Sequence, residues 1–290
     1  MPAEPVPAEP APAEPAHSGV PELRVEDVVR TFRGRDRQLV RAVDGVSFSI
    51  PPGTAVGLVG ASGSGKSTLA RLVTGSLRPS AGAVRFGEVE VHRLRAGALR
   101  GYHRRVQMIF QDPYSALNPL HTVGYTLARP ARNHLGMSAG QADARVAELL
   151  EVVGLVPAEQ FAAKLPHQLS GGQRQRVVIA RALASDPELV VADEPVSMLD
   201  VSLRAGILRL LARLRAERGL SLLYITHDLL SARVVTDQIL VLNGGRVVER
   251  GPTAQVLRHP RDAYTVRLLD AVANPFAAVP PDDTQEAAHA

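Results

Sequence analysis

The chain has 290 residues, 45% of them hydrophobic and 21% charged, with a mean hydropathy of +0.01, which is the composition of a globular protein able to bury a substantial core. It contains no cysteine, so disulfides, thiolate metal sites and cysteine nucleophiles are excluded. The net charge is +4 and the pI 9.8, but the basic residues are all arginine apart from Lys66 and Lys164, and no basic stripe interleaves with the few aromatics, so no nucleic-acid partner is expected. No apolar run approaches the roughly 18 residues that suggest a membrane span. No basic-then-apolar leader opens the chain, and a cytoplasmic location is expected.

Residues 2–16 repeat Pro-Ala-Glu-Pro with small variations and lack apolar side chains large enough to drive ordering, so residues 1–19 are read as a disordered tail. "LRVEDVV" and "AVDGVSFSI", between Leu23 and Ile50, read as strands, with Asp44-Gly45 as a turn and Pro51-Pro52-Gly53 as a stop. "AVGLVG" (55–60) suits a buried parallel strand, and a helical pattern begins at Ser67. From about 112 to 180 no strand is predicted. Within that block a helix over 138–153 is opened by Ser138 and closed at Gly154, and another covers 171–184. "ELVVAD" (188–193) and "LSLLYIT" (220–226) are further buried strands joined by the helical "RAGILRLLARLRAER". Strands alternating with helices predict an α/β fold with a mostly parallel sheet and a helical insertion.

"GASGSGKS", Gly60 to Ser67, fits G-x-x-x-x-G-K-[ST] and sits where that pattern requires, after a strand and at the start of a helix. Glycines there let successive backbone N–H groups curl around phosphates, and the helix N-terminus adds positive potential. Lys66 would reach the β and γ phosphates, and the Ser67 hydroxyl would ligate Mg²⁺. A second metal ligand is expected in Asp193, delivered by the strand "LVVAD". Glu194 follows it, placed to polarise a water against the γ phosphate. His227 ends the next strand and would face the same crevice. The chain lacks an Asn-Lys-x-Asp guanine motif, so ATP is the expected nucleotide.

"LSGGQRQR", Leu169 to Arg176, offers a second backbone cradle in Ser170, Gly171, Gly172 and Gln173, although the chain already has a P-loop. This segment resembles the signature motif of ABC-transporter ATPases. The other motifs follow in that family's order. Gly60, Ala61, Ser62, Gly63, Ser64, Gly65, Lys66, Ser67 and Thr68 resemble Walker A, and Gln111 in "FQDPYSALNP" resembles the Q-loop glutamine. "LVVADE" resembles Walker B, "SMLD" with Asp200 the D-loop, and His227 the switch histidine. The resemblance covers about residues 22–270. It implies a P-loop NTPase (RecA-like) core with an N-terminal antiparallel β subdomain, made of 20–111 and 181–255. It further implies a helical subdomain over 112–180 and a C-terminal extension over 256–290 with a disordered end.

The resemblance also implies a mechanism. Two ATPase subunits, alike or different, would close head to tail, each ATP lying between Walker A of one and the signature motif of the other. Glu194 and His227 would be catalytic, Gln111 would join Ser67 and Asp193 at Mg²⁺, Asp200 would communicate across the dimer, and Phe32 would stack on adenine. "FQDPYSALNP", "LPHQLSGGQRQRVVIARALA" and the tail "GGRVVERGPTAQVLRHPRDAYTVRLLDAV" are similar to the peptide/nickel importer branch. That branch pairs such subunits with two membrane permeases and an extracytoplasmic solute-binding protein, at the cytoplasmic face of the membrane. The alternative is a soluble ABC ATPase acting on nucleic acid or ribosomes. Two departures stand out: the cysteine-rich C-terminal segment common in the branch is missing, and Met198 replaces the usual alanine of the D-loop, a change its flexible side chain should tolerate.

Overall fold

The computed structural model of the chain describes residues 20–34 and 38–273; the Pro/Ala/Glu tail expected over 1–19 and the expected disordered end, 274–290, lie outside them. The chain runs β1 (Leu23–Arg33), β2 (Leu39–Ile50), β3 (Ala55–Val59), α1 (Lys66–Val73), β4 (Ala81–Phe86), β5 (Val89–Glu90), α2 (Ala96–Arg105) and β6 (Val106–Ile109). A strand-free stretch follows, with α3 (Pro113–Ala116), α4 (Val123–Leu135), α5 (Ala139–Val152), α6 (Ala158–Ala163) and α7 (Gly171–Leu183). The remainder is β7 (Leu189–Asp193), α8 (Val201–Arg218), β8 (Ser221–Thr226), α9 (Leu229–Val235), β9 (Gln238–Asn243), β10 (Arg246–Pro252), α10 (Thr253–Arg258) and α11 (Ala263–Ala273).

The strands form two sheets. An antiparallel sheet has the order β2-β1-β4-β5, and a larger one the order β10-β9-β3-β8-β7-β6. Within the larger sheet β9, β3, β8, β7 and β6 are mutually parallel and only β10 runs against its neighbour. The central strands read as unbroken apolar runs because both their faces are covered. In β3, Ala55 and Val59 point into a core shared with the helices, while Val56 and Leu58 point into a second core shared with the antiparallel sheet and α1. β8 divides in the same way, with Leu222 and Tyr224 to one side and Leu223 and Ile225 to the other.

Local signals explain the helices. Ser138 caps α5 with a reciprocal pair: its hydroxyl accepts from the Gln141 N–H at 3.4 Å, and the Gln141 side chain accepts from the Ser138 N–H at 2.9 Å. Ala142, Val146, Leu149 and Leu150 then form the buried face of that helix. The expected turn at Asp44-Gly45 is instead a bulge inside β2. Pairing passes from Val28↔Val46 to Arg30↔Val43, and Gly45 takes up the extra residue with φ 68°. Among the described residues no helix is long and apolar enough to cross a membrane.

Leu58 is fully buried between the two sheets. Leu58→Ala is expected to cost about 2–5 kcal/mol of folding stability, measurable as a lower denaturation midpoint in urea.

Candidate functional site

The parallel sheet delivers the predicted residues to one edge. β3, β8, β7 and β6 lie side by side, and their carboxyl ends are in register: Val59 pairs with Thr226, Ile225 with Asp193, and Ala192 with Ile109. The next few residues of each strand are the Gly60–Ser67 loop, His227, Glu194 and Gln111. Four stretches separated by many residues therefore open on a single cleft of about 680 Å³, lined by Ala61, Ser62, Gly63, Gly65, Lys66, Ser67, Thr68, Gln111, Glu194 and His227. A crevice beyond the carboxyl ends of parallel strands is where ligands bind in such sheets.

The loop after β3 is tightly curled. Gly65 has φ 105°, and a Cβ there would lie 2.2 Å from the Ala42 carbonyl oxygen. Any side chain would thus meet both strain and collision. Lys66 opens α1 and turns its ammonium back over the loop, donating to the carbonyls of Gly60 and Ala61 at 2.8 Å each. Burial pushes its pKa down, opposed by the charges of Glu194 and Asp193. Ser67, next on α1, points its hydroxyl at the Asp193 carboxylate, 3.5 Å away. Asp193 is buried, and its pKa is raised, chiefly by burial and further by Glu194, against the Ser67 hydrogen bond.

Glu194 occupies the left-handed region with φ 47°, a conformation that costs a non-glycine residue energy and that clusters at functional sites. Its N–H is tied to the Ile225 carbonyl at 2.8 Å, which holds the strained backbone. The carboxylate is gripped from both sides: the Gln111 amide donates to one oxygen at 3.2 Å, and His227 Nδ1 lies 3.1 Å from the other. A hydroxyl chain steadies the histidine loop. Tyr224 donates to Ser231 at 3.1 Å, Ser231 to the Asp228 carbonyl at 2.7 Å, and the Asp228 N–H to Thr226 Oγ1 at 3.0 Å. Burial pushes the Tyr224 hydroxyl up to about 12, so it stays protonated. A carboxylate oriented by two neighbours beside a phosphate-type cradle can orient and deprotonate a water.

Ser170, Gly171, Gly172 and Gln173 stand elsewhere and do not line this cleft. Ser170 caps α7, accepting from the Gln173 N–H at 3.3 Å while Gln173 accepts from the Ser170 N–H at 3.0 Å. Asp200 caps α8 through its carbonyl, which accepts from the N–H groups of Leu203 and Arg204. Phe32 lies on β1 beneath the Arg30 guanidinium, 4.8 Å from its ring centre, 39% exposed and outside the cleft lining. Ala42, Leu268 and Ala271 do line the cleft and were not anticipated. No motif marks them, since they reach it only through the packing of β2 and α11.

Fold and site together define a P-loop nucleotide-binding protein. Comparison with known proteins makes the class narrower. A sequence profile described as ABC transporter matches residues 43–197. A peptide import ATP-binding protein of Brucella abortus is 46% identical over 256 residues, 86% of this chain and 76% of that protein. An oligopeptide transport ATP-binding protein of Bacillus subtilis, YkfD, is 42% identical over 257 residues, 88% and 78% of the two chains. Among solved structures, the dimeric post-hydrolysis state of the ATP-binding cassette MJ0796 bound to ADP and phosphate superposes with a TM-score of 0.70. It is 31% identical and covers 80% of this chain and 98% of that one. The chain belongs to the ABC transporter family as one of its ATP-binding, ATP-hydrolysing subunits.

Gly65→Ala should abolish ATP binding, because the new methyl would collide with the Ala42 carbonyl. Equilibrium binding of a fluorescent ATP analogue reads this, with the nucleotide-free fold checked by circular dichroism.

Proposed function

We propose that the chain is the energy-coupling subunit of an importer for oligopeptides, dipeptides or a related small solute. The observation that carries the catalytic part is the Glu194 carboxylate held between Gln111 and His227 at the mouth of a P-loop cleft. The peptide import and oligopeptide transport names of the relatives favour peptide-class cargo over the alternative of an ATPase acting on nucleic acid or ribosomes. As a subunit of that kind it would sit at the cytoplasmic face of the membrane with two permease subunits and an extracytoplasmic solute-binding protein.

In this reading the N–H groups of Gly60 to Thr68 surround the triphosphate, and Lys66 swings from its two carbonyl partners onto the β and γ phosphates. Phe32 stacks on adenine. Ser67, Asp193 and Gln111 would hold Mg²⁺, which when bound would neutralise charge on the phosphate oxygens. The donor set fits such an ion, being a hydroxyl and a buried carboxylate with no soft ligand. Among the described residues no cluster of three His, Asp or Glu side chains forms a metal cage, consistent with an ion held largely by phosphate and water. Glu194 takes a proton from water as the water oxygen bonds to the γ phosphorus and the bond to the bridging oxygen breaks, releasing ADP and phosphate. His227 donates to the γ phosphate.

Ser170, Gly171, Gly172 and Gln173 serve the ATP of a second subunit, identical or homologous, and Asp200 lies at the contact between the two. Gln111 would pass the state of the site to the helical segment. Tyr114 of α3, in the loop behind Gln111, packs beneath Arg174 of the signature helix at 4.3 Å, and Arg181 of that helix donates to the Ala116 carbonyl.

Glu194→Gln is expected to lower ATP turnover by about 10²–10⁴-fold while ATP binding persists. Hydrolysis at the normal rate would defeat the assignment of the base. Isolation of the tagged chain from its native membranes should recover permease subunits, and recovery of ribosomes or DNA instead would defeat the transport reading.

A further inference from the structure

The nucleotide loop is tied down by a helix some two hundred residues further along the chain and outside the 43–197 span of the family profile. α11 lays Leu268 and Ala271 along the cleft wall. Tyr264, in its first turn and 7% exposed, accepts a hydrogen bond from the Ala61 backbone N–H at 2.9 Å. The helix is itself pinned at its start. Glu249 of β10 accepts from the N–H groups of Arg261 and Asp262 at 2.9 and 3.1 Å, and the Asp262 carboxylate accepts from the Tyr264 N–H at 2.8 Å.

Ala61 is an informative place for such a tether. Its N–H shares a peptide plane with the Gly60 carbonyl, which accepts from Lys66 Nζ at 2.8 Å. Its own carbonyl accepts from Lys66 Nζ at 2.8 Å and from the Ser64 N–H at 3.3 Å, so the two peptides flanking this residue set both the lysine and the first turn of the loop. The tyrosyl oxygen fixes the first of these peptides through its N–H. A phenyl ring would fill the same space without the hydroxyl, so the oxygen's task is separable from packing. A loop that binds phosphate through ordered backbone N–H groups gains affinity when that order exists before the ligand arrives.

We propose that Tyr264 is a positioning residue for ATP binding and that α11 forms a wall of the nucleotide cleft, so that this C-terminal helix sets nucleotide affinity. The inference rests on the cleft being the ATP site. Tyr264 touches the peptide of the loop and not the nucleotide; its effect passes through Ala61.

The test uses the full chain and the Tyr264→Phe variant, with steady-state ATPase kinetics and thermal melting at several concentrations of magnesium ATP. Loss of one hydrogen bond to the loop should raise KM for ATP about three- to tenfold at nearly unchanged kcat. The nucleotide-free melting temperature should move by only a few degrees, and the ATP-induced rise should shrink at each concentration. An unaltered KM with an unaltered ATP-induced rise would overturn the role of Tyr264, as would a fall confined to kcat. Ala271→Phe tests the wall separately. It should weaken ATP binding while leaving the nucleotide-free fold intact by circular dichroism, and undiminished binding would overturn the wall. If wild-type protein showed no ATP-induced stabilisation at all, the ATP-site reading itself would fail, an outcome distinct from equal responses of wild type and variant.

Discussion

The structure depends on how closely backbone approaches backbone around one loop. A side chain at residue 60 would lie 2.2 Å from the Leu242 carbonyl oxygen, and one at residue 65 would lie as close to that of Ala42. β9 and β2, which belong to different sheets, therefore both press on the nucleotide loop. The hairpin after β9 adds a bond, Gly245 N–H to the Ser64 carbonyl at 3.1 Å, and the Gly245 carbonyl accepts from Asp44 of β2 at 2.9 Å. The antiparallel sheet, the parallel sheet and the C-terminal helix meet at this loop. A rigid cradle follows from that convergence, because no one element can shift without moving the others.

Charge in the cleft is balanced on the same geometry. Burial disfavours the ammonium of Lys66 and the carboxylate of Asp193 alike; two carbonyls and the charges of Glu194 and Asp193 oppose it for one, and a hydroxyl at 3.5 Å and the charges of Lys66 and Arg71 for the other, yet burial outweighs them in both. Phosphate and a divalent cation are the partners that would reverse both penalties at once. Glu194 is different. Its side chain is held by Gln111 and His227 while its backbone is held in a strained conformation by β8, so its position is set before any ligand arrives.

Much of this was legible in the residues, and the exceptions have physical reasons. Strands covered on both faces appear as continuous apolar runs, which is why "AVGLV" and "LVVAD" could be read directly. Ser138 announced a helix start because a serine hydroxyl can take up a free N–H of the first turn. β4, β5, β6, β9 and β10 were not assigned. β5 has two residues and β6 four, and β10 is half-exposed without clean alternation. The Asp44-Gly45 pair suits a turn or a bulge equally well, and only the opposing ladder from Val28 to Arg30 decides between them. At the site, motifs named the residues that share a strand end. They could not name Tyr264 or Ala42, whose places depend on packing between distant segments.

The scarcity of lysine has a practical corollary. Lys66 and Lys164 are the only two in the chain. Lys164 caps α6, far along the helical segment, with its ammonium 4.3 Å from the centre of the Phe161 ring. Lys66 sits in the cradle, buried, with its ammonium donating to the Gly60 and Ala61 carbonyls and its pKa pushed down by burial. An amine-selective acylating reagent therefore has two lysines to choose between, one of them inside the nucleotide loop. Peptide mapping of the label would give the occupancy of the cleft against a built-in reference, without introducing a reporter residue.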